Sequence, residues 1–585
     1  MTAVKLLCCL AVIAFLGVRG FSQSDNKENA NDIYKKFAEA YSKLDAGAAA
    51  SLYVSDALLI YLYENSQPSS IVGRENIKKS FADLFQNISL KKSRLNISFK
   101  IADRKNVSDE IFDNGFYQLE IITVNNEKSL YFGKFSAVLT HLDGQWKFKA
   151  DTSASAKFEE FENIDSLTIP ETENLLYPAF YDELLGDYLD EKNNLIVIGR
   201  SQTRLYAYFP TTQVFRGLKK INATTWTSGK NVISDDVADK KFVFKTNNQK
   251  RLLEIYDGAN LLSTAEKLDL YKTEKLSFTN KNNVKLAGTL FLPAKKNGKA
   301  IVLVHGSGAQ DRNGYASIIR LLADVLARSG VAVLTYDKQG IGESQGDWTS
   351  QSFSKLADDA LAGIAYLKNR KDLNFEKIGL GGSSQAGWIM AKAVEKSAAA
   401  DFVIAVGAAG SGISVIEQNL YNTKTLMQCE DFNQKQIEIA LTQQKHFFDF
   451  LQTRKNGNRL DEFTMAAAKD AKLKDWLFPT SGEINFQNPN QWFTALEMDF
   501  EPIDVWRNYR KPALMIFSEF DDSTPTDKVI SKLNKLNNKH LTLQKIPNAQ
   551  HIGLATNSVC RSDLKYTEKF HPNFFTAITK WTNNL

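Results

Sequence analysis

Continuous apolar runs alternate with amphipathic stretches from residue 275 to the end of the chain. The runs that we interpret as core strands are 300–304, 331–336, 378–380, 402–406, 513–517 and 541–543. Runs without polar alternation are typical of strands buried on both faces of a parallel sheet. Helical spacing occupies 315–328, 353–368 and 388–396. We therefore predict a mainly parallel α/β sheet, preceded by two early strands at 275–279 and 284–292.

The segment 29–158 has a different pattern. It opens with apolar residues on one helical face, namely Ile33, Phe37, Tyr41 and Leu44. A second helical stretch at 77–85 is followed by alternating segments at 95–101, 116–124 and 130–139, and Asp143-Gly144 is a hairpin-turn signal. Helices followed by a meander predict an α+β, cone-like domain. The pattern as a whole, with its final Gly-Gln-Trp-Lys-Phe strand, resembles the SnoaL-like or nuclear-transport-factor-like fold, which favours a structural or dimerising role.

The segment 167–273 contains short β-type runs between polar turns, at 195–198, 205–209 and 242–244. We predict a small antiparallel barrel or sandwich there. No residue in this segment indicates a function.

Residues 1–22 have the pattern of an export signal. Lys5 precedes an apolar run at 6–18, and small residues follow around Gly20 and Ser22. The run is short for a membrane span, and no comparable run occurs later. We therefore expect a soluble bacterial protein exported to the periplasm or the medium, with a retained anchor as the alternative.

Length and composition narrow the class of protein. A chain of 585 residues is too long for one ordinary core, so two to four domains are expected. Apolar residues make up 43% and charged residues 24%, as in globular proteins. The net charge is +5 without a long basic run, which argues against a nucleic-acid partner.

Of the four cysteines, Cys8 and Cys9 lie in the predicted signal. Cys429 and Cys560 can form one disulfide in an oxidising compartment, although we favour two unpaired thiols. Two cysteines do not make a structural zinc site, and the chain has no H-E-x-x-H helix. We expect neither a metal nor a cofactor.

The candidate nucleophile follows the run 378–380. The chain continues there as Gly381-Gly382-Ser383-Ser384-Gln385-Ala386-Gly387, the pattern of a strand-to-helix nucleophile elbow. Strand and helix pass so closely at such a turn that the positions two before and two after the serine must be small. Gly382 and Ala386 satisfy this for Ser384, whereas Ser383 would place Gln385 at the second position. By itself the pattern fits equally well a glycine-rich turn with a surface serine.

Two further loops carry a family resemblance. The run 300–304 is followed by His305-Gly306-Ser307-Gly308-Ala309-Gln310-Asp311-Arg312, and the next run by Asp337-Lys338-Gln339-Gly340-Ile341-Gly342-Glu343-Ser344. With the serine motif, in this order and spacing, they resemble the α/β-hydrolase superfamily, and within it bacterial esterases and serine-aminopeptidase-like enzymes. Ala309 replaces that group's usual proline, and Lys338-Gln339 replaces an arginine-rich pair. The resemblance covers 275–585.

This resemblance implies a triad in the order serine, acid, histidine. The acid should follow the run 513–517, where Glu519, Asp521 and Asp522 are candidates. The family's Gly-Glu-x-Asp turn selects Asp521 and leaves Asp522 as the alternative. Of six histidines, His551 follows the last core run, where the family places its base.

The resemblance also implies that backbone N–H groups of Ser307 and Gln385 form the oxyanion hole. His305, Asp311 and Arg312 are expected to brace the loop rather than react.

The segment 411–507, with helical spacing at 434–451, interrupts the alternation after the sixth core strand. The superfamily carries its cap at this place. Six of its aromatic residues can line an acyl pocket, namely Phe447, Phe448, Trp476, Phe478, Trp492 and Phe493. Aromatic residues on helices more often form plain core, so none is assigned to the substrate.

The sequence therefore predicts three domains at 29–158, 167–273 and 275–585. It predicts an exported serine hydrolase that cleaves small carboxylic esters through an acyl-enzyme. A serine aminopeptidase-like enzyme with the same triad, acting on short peptides, is the alternative. A catalytically silent binding protein also stays open, because Ala386 and Ser518 depart from the family pattern. A homodimer through the first domain is a further expectation.

Overall fold

The computed structural model describes residues 30–63, 67–107, 110–124, 128–142, 145–162, 179–201, 204–221, 224–230, 232, 238–247, 250–560 and 567–585. The chain divides into two compact units, whose described residues are 30–162 and 179–585. The predicted export signal and the predicted turn at Asp143-Gly144 lie outside the described residues.

The first unit is an α+β domain. Its helices are α1 (Asp32–Lys43), α2 (Ala46–Ser51), α3 (Arg74–Leu90) and α4 (Phe158–Glu162). Its strands are β1 (Tyr53–Leu62), β2 (Ser69–Val72), β3 (Arg94–Val107), β4 (Glu110–Ile122), β5 (Lys128–Leu142) and β6 (Gln145–Ser155). They form one sheet in the order β2-β1-β6-β5-β4-β3, in which only β1 and β6 pair in parallel.

Strands β1 and β2 are absent from the sequence prediction. The register of β1 against β6 shifts between Tyr53 and Leu58, so the burial of β1 does not alternate regularly. A shift of this kind breaks the two-residue period on which strand prediction depends. The resemblance to SnoaL-like proteins stays a prediction.

The second unit begins with a closed barrel, one of the two forms that the sequence allowed. Its strands are β7 (Gly186–Asp190), β8 (Leu195–Ser201), β9 (Arg204–Phe209), β10 (Val214–Lys220), β11 (Thr225–Ser228), β12 (Lys240–Asn247), β13 (Lys250–Asp257) and β14 (Asn260–Leu268). Neighbours pair antiparallel, and β14 pairs with β7 to close the barrel. Buried Tyr188, Trp226 and Phe242 are among the side chains of its core.

The α/β sheet follows the barrel. Its strands are β15 (Tyr271–Thr279), β16 (Lys285–Pro293), β17 (Lys299–Val304), β18 (Ala332–Tyr336), β19 (Lys377–Ser383), β20 (Val403–Val406), β21 (Ala513–Ser518) and β22 (Leu541–Ile546). The order is β15-β16-β18-β17-β19-β20-β21-β22. Only β15–β16 and β16–β18 are antiparallel, so the predicted mainly parallel sheet is confirmed.

The helices of this part are α5 (Ile318–Arg328), α6 (Phe353–Asn369), α7 (Ala386–Lys396), α8 (Val415–Cys429), α9 (Gln434–Thr453), α10 (Gly457–Ala467), α11 (Ile503–Asn508), α12 (Thr526–Asn534) and α13 (Asn573–Asn583). Helices α8 to α11 belong to the insertion between β20 and β21. Apolar side chains from both faces of the sheet are buried against helices, in two separate clusters. None of the described helices is both long enough and apolar enough to span a bilayer.

Candidate active site

Ser384 lies at the turn between β19 and α7. Its φ is 57°, in the left-handed region that a non-glycine residue adopts only at a cost. A Cβ added to Gly382 would lie 2.5 Å from the Cβ of Ala386 and 2.5 Å from the Val304 carbonyl oxygen. The two small positions around Ser384 are therefore required by close packing. Ser383, the alternative serine, is the last residue of β19 and is buried.

Asp521 and His551 meet at the carboxyl ends of β21 and β22. The Nδ1 atom of His551 lies 2.9 Å from each carboxylate oxygen of Asp521. Backbone N–H groups of Ser523 and Thr524 both donate to Asp521 Oδ1 at 2.8 Å. The Asp521 side chain is fully buried, whereas the His551 side chain is 17% exposed. The carboxylate is thus held in one orientation, facing the imidazole.

The other acid candidates have different partners. Glu519 accepts from the backbone N–H of Asn548 at 3.0 Å. Asp522 accepts from the Ser523 hydroxyl at 2.9 Å. Glu519 therefore binds the loop after β22, and Asp522 binds within its own loop. Asp521 is the carboxylate that faces His551 Nδ1 with both oxygens.

Gly407 accounts for the approach of the His551 loop to the centre of the sheet. Gly407 follows β20, the strand beside β19, and has a φ of 53°. A Cβ added there would lie 2.2 Å from the carbonyl oxygen of His551. Only glycine fits this contact, which brings the loop against the strand next to Ser384.

The loop after β17 passes beside Ser384, since a Cβ added to Gly306 would lie 3.8 Å from the Ser384 Cβ. Lys338 Nζ donates to the carbonyl oxygens of Gly306 and Gly308, both at 2.7 Å. Gln310 Nε2 donates to the carbonyl oxygen of Ser307 at 2.6 Å. Three successive carbonyl groups of the loop are therefore held by side chains. Gln385, the second predicted oxyanion residue, is the N-cap of α7, where backbone N–H groups lack intrahelical acceptors.

Lys338 is a residue of the site to which the sequence analysis assigned no role. Its side chain is buried, and burial lowers its pKa to about 7. Two carbonyl acceptors partly compensate the desolvation of the ammonium group. A lysine inside a glycine-rich loop motif could have indicated a role in the site. Its hydrogen-bond partners, however, cannot be predicted from the sequence pattern.

Two of the residues expected to brace the loop, Asp311 and Arg312, connect it to other segments. Arg312 binds Asp337 with Nε to Oδ1 at 3.0 Å and Nη2 to Oδ2 at 2.5 Å. His305 is buried, and burial lowers its pKa to about 3, so its imidazole is neutral. Asp311 Oδ2 binds Nη1 of Arg200 at 2.8 Å. Because Arg200 belongs to β8, the barrel contacts the loop after β17 directly.

A cavity of about 30 Å³ lies beside Ser384. Ser307 and Gln385 line it, with an apolar wall that includes Phe353, Trp388, Trp492 and Phe493. Helix α8 adds Val415, Gln418 and Asn419. Of the six cap aromatic residues named from the sequence, the lining includes Trp492 and Phe493. A broader surface depression along α12 contains Ser531 but no histidine.

Helix α8 is anchored to the loop that carries Asp521 and to the segment that follows the His551 loop. The Tyr421 hydroxyl donates to the Asp521 carbonyl oxygen at 2.9 Å, and Asn422 Nδ2 donates to the Asp522 carbonyl oxygen at 2.8 Å. At its end, Cys429 forms a disulfide with Cys560. Our preference for two unpaired thiols is therefore wrong. Cysteine spacing carries no information on whether two distant segments are adjacent.

Residues 295–430 match the family model described as serine aminopeptidase, S33. The matched segment includes Ser307 and Ser384 and ends before Asp521 and His551. The thiohydrolase aneE of Aspergillus aculeatus is 30% identical over 114 residues, which are 19% of this chain and 34% of that relative. The match thus spans about a third of the relative's length.

Among solved structures, the esterase Pf2001 of Pyrococcus furiosus has a TM-score of 0.35 at 14% identity, covering 54% of this chain and 91% of that one. The Est1E structure from Butyrivibrio proteoclasticus with bound ferulic acid has a TM-score of 0.32 at 17% identity, covering 53% and 98%. The family match and the sheet described above support a hydrolase of the α/β-hydrolase superfamily in the part of the chain that follows the barrel.

Proposed function

We propose that this protein is an exported serine hydrolase that cleaves carboxylic esters through an acyl-enzyme. Ser384 is the nucleophile, His551 the general base and Asp521 the acid that orients it. The observation that carries the proposal is the contact of His551 Nδ1 with both oxygens of Asp521 at 2.9 Å. The strained turn at Ser384 supports it, since strain at a non-glycine position is maintained only where surrounding structure enforces it.

In the proposed first step, His551 Nε2 removes the hydroxyl proton of Ser384 as Oγ bonds to the ester carbonyl carbon. Asp521 accepts from Nδ1–H and stabilises the imidazolium. The oxyanion accepts from the backbone N–H groups of Ser307 and Gln385. Collapse breaks the bond to the alkoxide, which takes the proton from His551 and leaves as the alcohol. Water then repeats the sequence on the acyl-enzyme and releases the acid and Ser384.

Lys338 and Gln310 act in this proposal through the loop that carries Ser307. By binding carbonyl oxygens of Gly306, Ser307 and Gly308, they set the orientation of the peptide groups beside the reacting carbonyl. A preorganised donor stabilises the transition state more than one that must reorient during the reaction.

The alternative is a serine aminopeptidase-like activity, which the description of the matched family favours. The same triad serves both reactions. However, none of the twelve residues lining the cavity is charged, so the cavity presents no carboxylate to a substrate ammonium group. We therefore rank ester cleavage first. Turnover of p-nitrophenyl esters should exceed that of aminoacyl anilides, and the reverse order would favour the peptidase.

Labelling with a fluorophosphonate, followed by peptide mapping, tests whether Ser384 is a nucleophile at all. Wild type and the neighbouring variant Ser383→Ala should both carry the adduct on Ser384, and Ser384→Ala should carry none. Folded wild-type protein without an adduct would instead support a catalytically silent binding protein.

Export is part of the proposal. It is supported by the pattern of residues 1–22 and by the Cys429–Cys560 disulfide, because disulfides persist mainly in oxidising compartments. Sequencing the N-terminus of the protein from its native host should find cleavage near residue 22. An intact N-terminus in the cytosolic fraction would contradict export.

A further inference from the structure

Helix α8 places two amide side chains in the wall of the Ser384 cavity. Gln418 and Asn419 are 3% and 1% exposed, and both line the cavity. The same cavity contains the predicted nucleophile and both predicted oxyanion residues. Whatever occupies it therefore lies within reach of the proposed chemistry.

Each amide has one polar atom that the described part of the chain leaves without a partner. Gln418 Nε2 and Asn419 Oδ1 make no hydrogen bond with any residue that the structure describes. Asn419 Nδ2 donates to the Val415 carbonyl oxygen at 2.8 Å, so the side chain is oriented with Oδ1 as the remaining acceptor. Buried polar atoms without partners are costly, and most proteins avoid them. Two such atoms, on neighbouring residues that line one cavity, indicate a ligand that supplies the missing partners.

The missing partner has a definite chemistry. Gln418 Nε2 is a donor and Asn419 Oδ1 is an acceptor, so one group that both accepts and donates satisfies both atoms. Apart from the predicted nucleophile and the two predicted oxyanion residues, the remaining wall is apolar, and no lining residue carries a charge. A charged group would lose its hydration without gaining a counter-charge, whereas a hydroxyl group loses little.

We infer that Gln418 and Asn419 form a subsite that binds a hydroxyl group on the acyl chain of the ester substrate. This inference rests on the proposed esterase function and names its substrate class, which is short hydroxyacyl esters. The cavity is assigned to the acyl side because the alcohol leaves after the first step, whereas the acyl group stays on Ser384 until water releases it. At about 30 Å³, the cavity favours a short chain.

The test compares p-nitrophenyl butanoate with the 2-hydroxy and 3-hydroxybutanoate esters. Each kcat/KM is divided by the rate of spontaneous hydrolysis of the same ester. This division corrects for differences in intrinsic reactivity among the three esters. For wild type, this corrected kcat/KM should be about tenfold higher for one of the hydroxy esters than for the butanoate ester. A difference of this size is expected when a hydrogen-bonding group pairs with otherwise unpaired atoms. Gln418→Met and Asn419→Leu, which retain side-chain size, should each abolish most of that preference.

Gln444→Met is the matched control. Gln444 is another buried glutamine of the insertion, on α9, but it does not line the cavity. Its variant should keep the wild-type preference. The ratio of kcat/KM values for two esters does not depend on the fraction of enzyme that is folded. Partial destabilisation of a variant therefore does not change the measured preference. If Gln418→Met fails to fold, Gln418→Leu removes the donor with another apolar side chain.

Failure of the subsite and failure of the esterase proposal give different results. If the butanoate ester is hydrolysed and Ser384 is labelled, but wild type shows no hydroxy preference, the subsite is wrong and the esterase stands. The same holds if the preference persists in Gln418→Met and Asn419→Leu. If no ester is hydrolysed and Ser384 takes no fluorophosphonate, both proposals fail.

Discussion

At the scale of single residues, three neighbouring carboxylates have different hydrogen-bond partners. The sequence offered Glu519, Asp521 and Asp522 within one loop, and the family turn selected Asp521. In the structure, Asp521 faces His551. Glu519 accepts instead from the loop after β22, and Asp522 accepts from the residue that follows it. Backbone donors that bind Asp521 Oδ1 maintain this orientation.

Replacing Asp521 with asparagine should therefore lower kcat by about 10⁴, the loss that follows when a triad aspartate no longer sets the histidine tautomer. Asp522→Asn is the matched control and should stay within about tenfold of wild type, because it leaves that contact intact. Steady-state kinetics on one p-nitrophenyl ester measures both. A greater loss in Asp522→Asn than in Asp521→Asn would transfer the role of the acid to Asp522.

Lys338 leads to a prediction about pH. Burial lowers its pKa to about 7, so between about pH 7 and pH 10 the unfolded chain holds a proton on this amine that the folded chain lacks. The contribution of Lys338 to the free energy of unfolding therefore rises with pH across that window. Lys338→Met removes this contribution.

Urea unfolding of wild type and Lys338→Met at about pH 6 and about pH 9 measures the effect. Wild type should gain stability relative to the variant at the higher pH. The exposed Lys355→Met is the matched lysine-to-methionine control. Parallel behaviour of Lys338→Met and wild type would show that the amine stays charged throughout.

At the scale of secondary-structure elements, the insertion helix α8 connects three parts of the site. It contributes Gln418 and Asn419 to the cavity, binds the acid loop through Tyr421 and Asn422, and ends at the disulfide. Helical spacing in the insertion was predicted at 434–451, within α9, and not over α8. The contacts of α8 were not predictable, because each joins it to residues about 100 positions away.

The disulfide closes a separation of 131 residues, so its reduction should cost about 2–4 kcal/mol of unfolding free energy. Reduction should also lower kcat/KM, since Cys560 follows the His551 loop and Cys429 ends the helix that contacts the acid loop. Thermal unfolding and ester kinetics with and without dithiothreitol measure both effects. The double variant Cys429→Ser/Cys560→Ser should resemble the reduced protein and be insensitive to the reductant. Equal stability of oxidised and reduced wild type would contradict a structural role for the bond.

At the scale of the whole second unit, the barrel supports both loops of the site. Backbone N–H of Phe215 donates to the Glu568 carbonyl oxygen at 2.8 Å, and that of Phe570 donates to the Gln213 carbonyl oxygen at 2.9 Å. The bridge between Leu554 and Phe570 continues this pairing to the segment just after His551. On the other side, Arg200 of β8 binds Asp311 in the loop after β17.

Arg200→Met tests this support. The pair with Asp311 is buried, with side chains 4% and 3% exposed, and removing one partner of a buried pair typically costs about 3–5 kcal/mol. Because Asp311 lies four residues beyond Ser307, kcat per labelled Ser384 should fall more than KM rises. Arg216→Met breaks a pair with Asp239 inside the barrel and is the matched control. Arg216→Met should lower the free energy of unfolding but leave kcat per labelled site unchanged. An equal loss of kcat in both variants would show that Arg200 only stabilises the fold.

The sequence by itself determined what depends on neighbouring positions. Buried strands produce unbroken apolar runs, and the tight turn at Ser384 requires small residues at 382 and 386, so both were visible in the pattern. Tertiary structure alone decided which lysine holds the loop after β17, whether Cys429 and Cys560 pair, and where the barrel touches the site. These contacts join residues far apart along the chain, and their existence depends on how the elements pack together. The spacing of residues along the chain contains no information about that packing.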